Sequence, residues 1–348
     1  MSKRSPTLPV GKLPAELLAE LLGRLAPRDP RVIIGPGLGL DCSVVRVGQQ
    51  LLVFKSDPIT FATKDIGYYL VQVNANDLAT TGAQPRWLLV TILLPEHGTT
   101  AESIQHIARE IDAACREIGV AVIGGHTEIT HGLHRPILAG TLVGEVERRR
   151  LVTPRGARPG DSVLLTKGVP IEATAILARE FPERLTGALS AEELRQAQSF
   201  LREPGISVLR DAQIALAAGK VTAMHDPTEG GLVTALWELA EASGRKLWFD
   251  PSAVPVPTLA ARVCRVFSLD PLRAIASGAL LLTASKTAAV KIRRALESDG
   301  IVCAEIGGVD CGPHGVWAVS RKRHRRVKPP LRDEIARVFD PSEYKRSL

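Results

Sequence analysis

A chain of 348 residues with 45% hydrophobic content has enough apolar side chain for a sizeable core, and its length makes two domains the natural expectation. The five cysteines, Cys42, Cys115, Cys264, Cys303 and Cys311, lack zinc-ribbon or CxxC spacing, and no stretch has the apolar core of a signal peptide or the length to cross a bilayer; a cytoplasmic protein with no membrane role is expected. The net charge of +7 resides mostly in RKRHRRVK at 321–328, whose six Lys and Arg leave the body near +1; no aromatic residue is interleaved, so nucleic acid is not expected as a partner.

After a proline-containing leader, Leu13, Leu17, Leu21 and Leu25 recur at every fourth position and predict an amphipathic helix. Strands are expected at 43–47, 51–56, 87–94 and 137–146, with Ile104, Ile107, Ile111 and Ile118 marking a helix among them. Residues 66–81 carry Ile66, Leu70 and Val73 at helical spacing, and Asp77 continues their face. A short strand at 120–123 is expected to close at Gly124-Gly125. The turn-rich TPRGARPG at 153–160 divides a first domain, 1–158, from a second, 159–320, opened by a strand at 162–166. Helical patterns there alternate with strands at 221–225, 279–283 and 315–319, an α/β layer. A basic tail and short helix, 321–348, completes the chain, with Leu331, Ile335, Val338 and Phe339 as an apolar stripe that docks on the body.

Four aspartates, Asp41, Asp57, Asp77 and Asp226, fall where strands end or helices begin. Each alone fits a turn or a cap, but a carboxylate on the core face of a helix, as at Asp77, needs a partner. In HDPTEGGL, at 225–232, Asp226 reads as N-cap, Pro227 as the first helical residue and Glu229 as the end of a capping box. Gly230 and Gly231 do not fit that reading, since paired glycines weaken a first turn by roughly 1 kcal/mol each; close approach to an anion explains them better. Gly124-Gly125, in GGHTEIT at 124–130, fits either a tight turn or a phosphate-facing loop. His126, Glu128, His131 and His134 are an alternative zinc set, but the cysteine pair of a deaminase-type HxE site is missing.

In order, Asp41-Cys-Ser-Val, Ser56-Asp57, Asp65-Ile-Gly, Asn76-Asp77-Leu-Ala, Gly82-Ala, Gly124-Gly125 and HDPTEGG resemble the superfamily of aminoimidazole ribonucleotide (AIR) synthase, selenophosphate synthetase, thiamine monophosphate kinase and the hydrogenase-maturation protein HypE. The match spans about residues 8–320, and GKLPAELL, TKGVPIEATAILA and HDPTEGGLVTALWELAEAS bring it nearest to HypE-like, AIR-synthase-related proteins. The resemblance implies a two-domain α/β (α+β) PurM-like fold. Its N-terminal half-barrel sheet completes a barrel in a homodimer, and its C-terminal domain is an α/β sandwich. It further implies an enzyme using ATP and Mg²⁺ to phosphorylate an amide or carbonyl oxygen of a small-molecule or protein-borne acceptor, in hydrogenase maturation for HypE itself. Asp41, Asp57, Asp77 and Asp226 would then be metal ligands. Asn76, Gly124, Gly125, Thr127, Thr228, Gly230 and Gly231 would lie at the nucleotide, and Lys12 and His126 would be candidate catalytic residues. Glu172 and Arg135 are candidates for the acceptor pocket, with ordinary salt bridges as the alternative.

Three departures qualify this. Leu40-Asp41 replaces the usual Asp-Asp pair, His126 replaces the Asp of the common GDT loop, and no Cys follows Cys311, where HypE presents a C-terminal cysteine to be carbamoylated. The alternatives are a small-molecule kinase of the thiamine monophosphate kinase type and a non-catalytic ATP-binding regulatory protein.

Overall fold

The computed structural model describes residues 8, 11–25, 27–320 and 323–339; the remainder of the expected tail, 321–322 and 340–348, lies outside them. Two mixed sheets with flanking helices form the body. The first has β1 (Val32–Ile34), β2 (Ser43–Val47), β3 (Gln50–Ile59), β4 (Gln84–Pro95), β5 (Ala121–Thr130) and β6 (Ile137–Val146) in the order β1-β2-β3-β6-β4-β5. Only β4 and β5 run parallel, because the helix Ala101–Ile118 crosses over between them. That helix starts at a Thr100–Ser103 capping box and stops at Gly119, which supplies the left-handed residue such a terminus favours.

The helix Ile66–Thr80 is buried along its whole length. It packs on β3 and β6 of the first sheet and touches β8 of the second domain, so polar residues on it face protein wherever they point. Ile66, Leu70, Val73 and Asp77 do lie on one buried face.

The second sheet joins β7 (Asp161–Thr166), β8 (Val221–His225), β9 (Lys246–Phe249), β10 (Leu281–Ser285), β11 (Cys303–Asp310), β12 (Gly315–Ser320) and β13 (Arg323–Val327) in the order β13-β12-β9-β11-β7-β10-β8. Its interior strand β7 is covered on both faces. Val163 and Leu165 enter one core and Leu164 the other, as the two-residue period of a strand dictates.

Three expectations are corrected. The strand at 120–123 does not end at the glycine pair; β5 continues to Thr130. Gly124 and Gly125 lie inside it at φ near +155°, where a Cβ on Gly125 would meet the Val90 carbonyl oxygen at 1.8 Å, so close strand pairing next to a bulge requires glycine. The basic run is no free tail: Arg323–Val327, exposed except at Val327, pairs with β12 as the edge strand, where charge discourages further pairing. Finally, Asp226 is not an N-cap. The helix runs from Gly231 to Ser243, and Gly230, at φ +79°, is the residue preceding it.

The stripe beyond the basic run docks as expected. Ile335 and Ala336 are buried, and Phe339 packs edge-on to Phe181 at 5.0 Å and against Phe61 at 5.6 Å.

Candidate active site

Strand β3 and the helix Ile66–Thr80 place acids on either side of one lysine. Lys55 and Asp57 are two residues apart on β3 and so share a face; Lys55 Nζ lies 3.1 Å from Asp57 and 3.2 Å from Asp77. Its side chain is 12% exposed and that of Asp77 2%, so this ion pair is largely withdrawn from water. Asn74, one helical turn before Asp77, accepts the Asp57 N–H at 3.0 Å and donates to the Leu70 carbonyl at 2.9 Å, fixing strand to helix.

The C-terminal end of β8 brings a second group alongside. Asp41, His225 and Asp226 have ligand atoms all within 4.8 Å of one another. His225 Nε2 lies 3.4 Å from Asp41 and 3.2 Å from Glu238, and Glu238 also faces Lys12 at 3.4 Å. Both carboxylate oxygens of Asp226 are buried and accept no hydrogen bond from an N–H among the described residues; the charges of His225 and Lys55 and the neighbouring Asp77 carboxyl offset their burial only in part, so a further cation would be stabilising there.

Electrostatics follow from burial and an excess of acid. Burial, reinforced by Asp41, pushes Asp226 up to about 6. Asp77 is also driven well above the carboxylate range by burial, with Lys55 opposing. Burial disfavours a charged His225, yet Asp41 and Glu238 hold its proton up to about 9. Glu238 resists burial through Lys12 and His225, and falls to about 2. A hard divalent cation with oxygen ligands suits such a group, and the buried Asp226 oxygens, only partly offset, show that the residues fit one.

The other expected residues divide. Thr228 meets Lys12 at 3.5 Å beside this cluster, so the leader lysine is placed on the body although its side chain is 45% exposed. Gly230 and Gly231 both take left-handed backbone, and a Cβ on Gly231 would meet the Ala274 and Leu272 carbonyl oxygens at 2.7 and 2.8 Å. Packing therefore explains them, and the Gly230 N–H already donates to the carboxylate of Asp333. Asn76, expected beside the nucleotide, is engaged by the chain itself: it donates to the Ile206 carbonyl at 2.7 Å and accepts from the Val208 N–H at 2.8 Å, tying the helix to the second domain. Gly124, Gly125, His126 and Thr127 lie on exposed β5, three strands from β3 and so about 14 Å away at the usual spacing. Of the alternative zinc set only His126 and Glu128 meet, at 3.1 Å; His131 turns to Glu96 at 2.8 Å, and among the described residues these side chains form no group of three.

Sequence reasoning missed Lys55, Asn74, His225 and Glu238. The i, i+2 relation of Lys55 to Asp57 and the i, i+3 relation of Asn74 to Asp77 are the signals that point to the first two.

Residues 39–146 match the family model described as AIR synthase related protein, N-terminal domain, and residues 158–319 match that of the C-terminal domain. The chain belongs to the AIR synthase related family. This family member is 28% identical over 318 residues to a putative hydrogenase expression/formation protein of Methanocaldococcus jannaschii, covering 88% of this chain and 91% of that one. It is 30% identical over 266 residues to the carbamoyl dehydratase HypE of Azotobacter vinelandii, covering 74% and 73%. The crystal structure of the hydrogenase maturation protein HypE in complex with ATP shares its fold, with a TM-score of 0.67 at 23% identity over 89% of each chain. The AIR synthase related fold thus places the acid cluster where β3, β8 and the Ile66–Thr80 helix meet, between the two sheets.

Proposed function

We propose that the protein is an ATP- and Mg²⁺-dependent enzyme of the HypE-like type that phosphorylates an amide or carbonyl oxygen of an acceptor. The carrying observation is Asp226: two buried carboxylate oxygens, accepting no N–H among the described residues, beside Asp41 and His225. Family membership and the carbamoyl dehydratase relatives support the same reading.

Phosphoryl transfer depends chiefly on positioning and charge neutralisation, and MgATP supplies the transferable group and its counter-charge. In this reading Asp41 and Asp226 hold the metal, with Asp57 and Asp77 beside it under the control of Lys55. Lys12, on a segment that reaches Thr228 and Glu238, attracts the polyphosphate. The domains divide at about residue 158, and the acceptor meets ATP in the cleft between them.

A homodimer joined along β5 belongs to the proposal. That edge strand exposes Val122, Ile123 and Ile129, next to exposed Trp87 and Leu89 on β4, an apolar face larger than scattered surface residues make. Gly124, Gly125, His126 and Thr127 would then belong to the interface.

Calorimetry with MgATP and measurement of ADP release test the reading on the full chain. Saturable MgATP uptake that Asp226→Asn abolishes is expected; no uptake by the wild type overturns it. Uptake without ADP release on any amide, carbonyl or phosphate acceptor would favour the regulatory protein.

A further inference from the structure

A cavity of about 410 Å³ opens between β3, the Ile66–Thr80 helix and the helix Ile171–Glu180, and Asp57 stands on its wall. Most of its lining is apolar, including Ile59, Phe61, Val73, Ile176 and Ile275. Of its polar lining residues, Tyr69, Glu172 and Ser277 are the most deeply buried, at 1%, 4% and 1% exposed, whereas Lys12, Asp57, Thr60, Arg135, Thr228 and Glu229 are less so. The Tyr69 hydroxyl has no hydrogen-bond partner among the described residues, and the Ser277 hydroxyl has only the Glu172 carboxyl beside it. Glu172 accepts the Ser277 N–H at 3.2 Å, and among the described residues no Lys or Arg forms an ion pair with it.

An unpartnered hydroxyl lining a cavity is costly to retain unless a ligand uses it. Burial pushes the Glu172 carboxyl up to about 7, with Ser277 opposing and Asp333 and Glu229 adding their repulsion. A neutral acid donates a hydrogen bond as well as accepting one. The two cations of the lining are less deeply buried than this triad: Lys12 is partly exposed and faces Glu238, and Arg135 is half-buried.

We propose that this cavity binds an uncharged acceptor whose amide or carbonyl head is held by Tyr69, Glu172 and Ser277, and whose apolar body lies against Ile59, Phe61 and Ile176. This rests on the reading of the protein as a phosphoryl-transfer enzyme, because Asp57 connects the cavity wall to the acid cluster. It narrows that reading, since the buried polar triad contains no cation to receive a phosphate or carboxylate head. Tyr69, Glu172 and Ser277 are thus specificity-determining positions. Loss of one buried hydrogen bond, about 1.4 kcal/mol, corresponds to tenfold in affinity.

An isosteric pair of probes tests this on the full chain: 4-methylpentanamide and 4-methylpentanoate, titrated at about pH 6 by saturation-transfer NMR, where Glu172 is mostly neutral and the free carboxylate probe is charged. The amide is expected to bind in the millimolar range and the carboxylate at least about tenfold more weakly. Glu172→Ala and Tyr69→Phe are each expected to weaken the amide about tenfold, while Glu172→Gln, which still donates and accepts, retains it. Thermal unfolding and MgATP calorimetry on each variant separate a lost contact from a lost fold. Equal binding of the two probes, or amide binding that persists in a folded Glu172→Ala/Tyr69→Phe double variant, overturns the proposal. So does absence of amide binding in a wild type that takes up MgATP. Absence of MgATP uptake instead overturns the underlying function and is read separately.

Discussion

Replacing Lys55 with methionine keeps the length and apolar stem of the side chain and removes only the ammonium, so it isolates the charge between β3 and the Ile66–Thr80 helix. At 3.1 and 3.2 Å from two carboxylates, Lys55 sits where each pair interacts by about 5 kcal/mol at an effective dielectric of 20, before desolvation is subtracted. The two partners do not count equally. Asp57 is 32% exposed and water screens it, whereas Asp77 is 2% exposed and is left with no cation. Breaking a buried pair in this way costs about 3–5 kcal/mol, and because Asp77 escapes part of the penalty by taking up a proton, a loss of about 3 kcal/mol at pH 7.5 is expected. Urea unfolding followed by tryptophan fluorescence reads it as a lowered midpoint. In the variant, about 10 mM magnesium should raise the midpoint by more than it does in the wild type, because the divalent ion then meets two unpaired acids. A loss below about 1 kcal/mol, or a magnesium response no greater than in the wild type, would refute the assignment of Lys55 as the resident cation of this cluster.

Asp226→Asn removes one carboxylate from a buried cluster with an excess of acid, and should raise the stability of the metal-free protein by about 1 kcal/mol in the same unfolding assay while weakening MgATP at least tenfold by calorimetry. The Glu172 carboxyl lies at about 7 in the fold against an ordinary 4.5, so its protonated form is favoured by folding; its contribution is complete below pH 4.5 and is lost as pH rises through 7. Glu172→Gln should therefore gain about 2.5 kcal/mol on the wild type between pH 5 and 8, and parallel pH–stability curves would contradict the burial argument. Ile123→Asp, which puts charge on the exposed apolar edge of β5, should lower the sedimentation mass at micromolar concentration; an unchanged dimer mass would place the interface elsewhere.

Much of the scaffold is legible because its periodicities are strong. Ile66, Leu70, Val73 and Asp77 define a helix face whose burial is as their spacing predicts, and the burial of a carboxylate there already demands a cation. The identity of that cation is harder to read: an isolated lysine in LLVFKSDPI looks like the polar residue of an alternating strand until β3 is seen against the helix. HDPTEGGL imitates a helix start so well that local rules put the N-cap at Asp226, whereas the need for left-handed backbone moves it to Gly230. Gly124-Gly125 fails for a related reason, since a glycine pair that ends a strand and one that lets two strands approach are the same in sequence. Asn76 shows the limit for side chains, because its role is set by carbonyl and N–H groups 130 and 132 residues away.

The contact between Asp333 and the Gly230 N–H has a consequence for anything negatively charged that approaches that helix end. One N–H cannot serve two acceptors fully, so an incoming anion competes with a carboxylate that the chain itself delivers, anchored by Ile335, Ala336 and Phe339. Its apparent affinity there is lowered by the free energy needed to lift that anchor, and by reciprocity a bound anion loosens the C-terminal segment by the same amount.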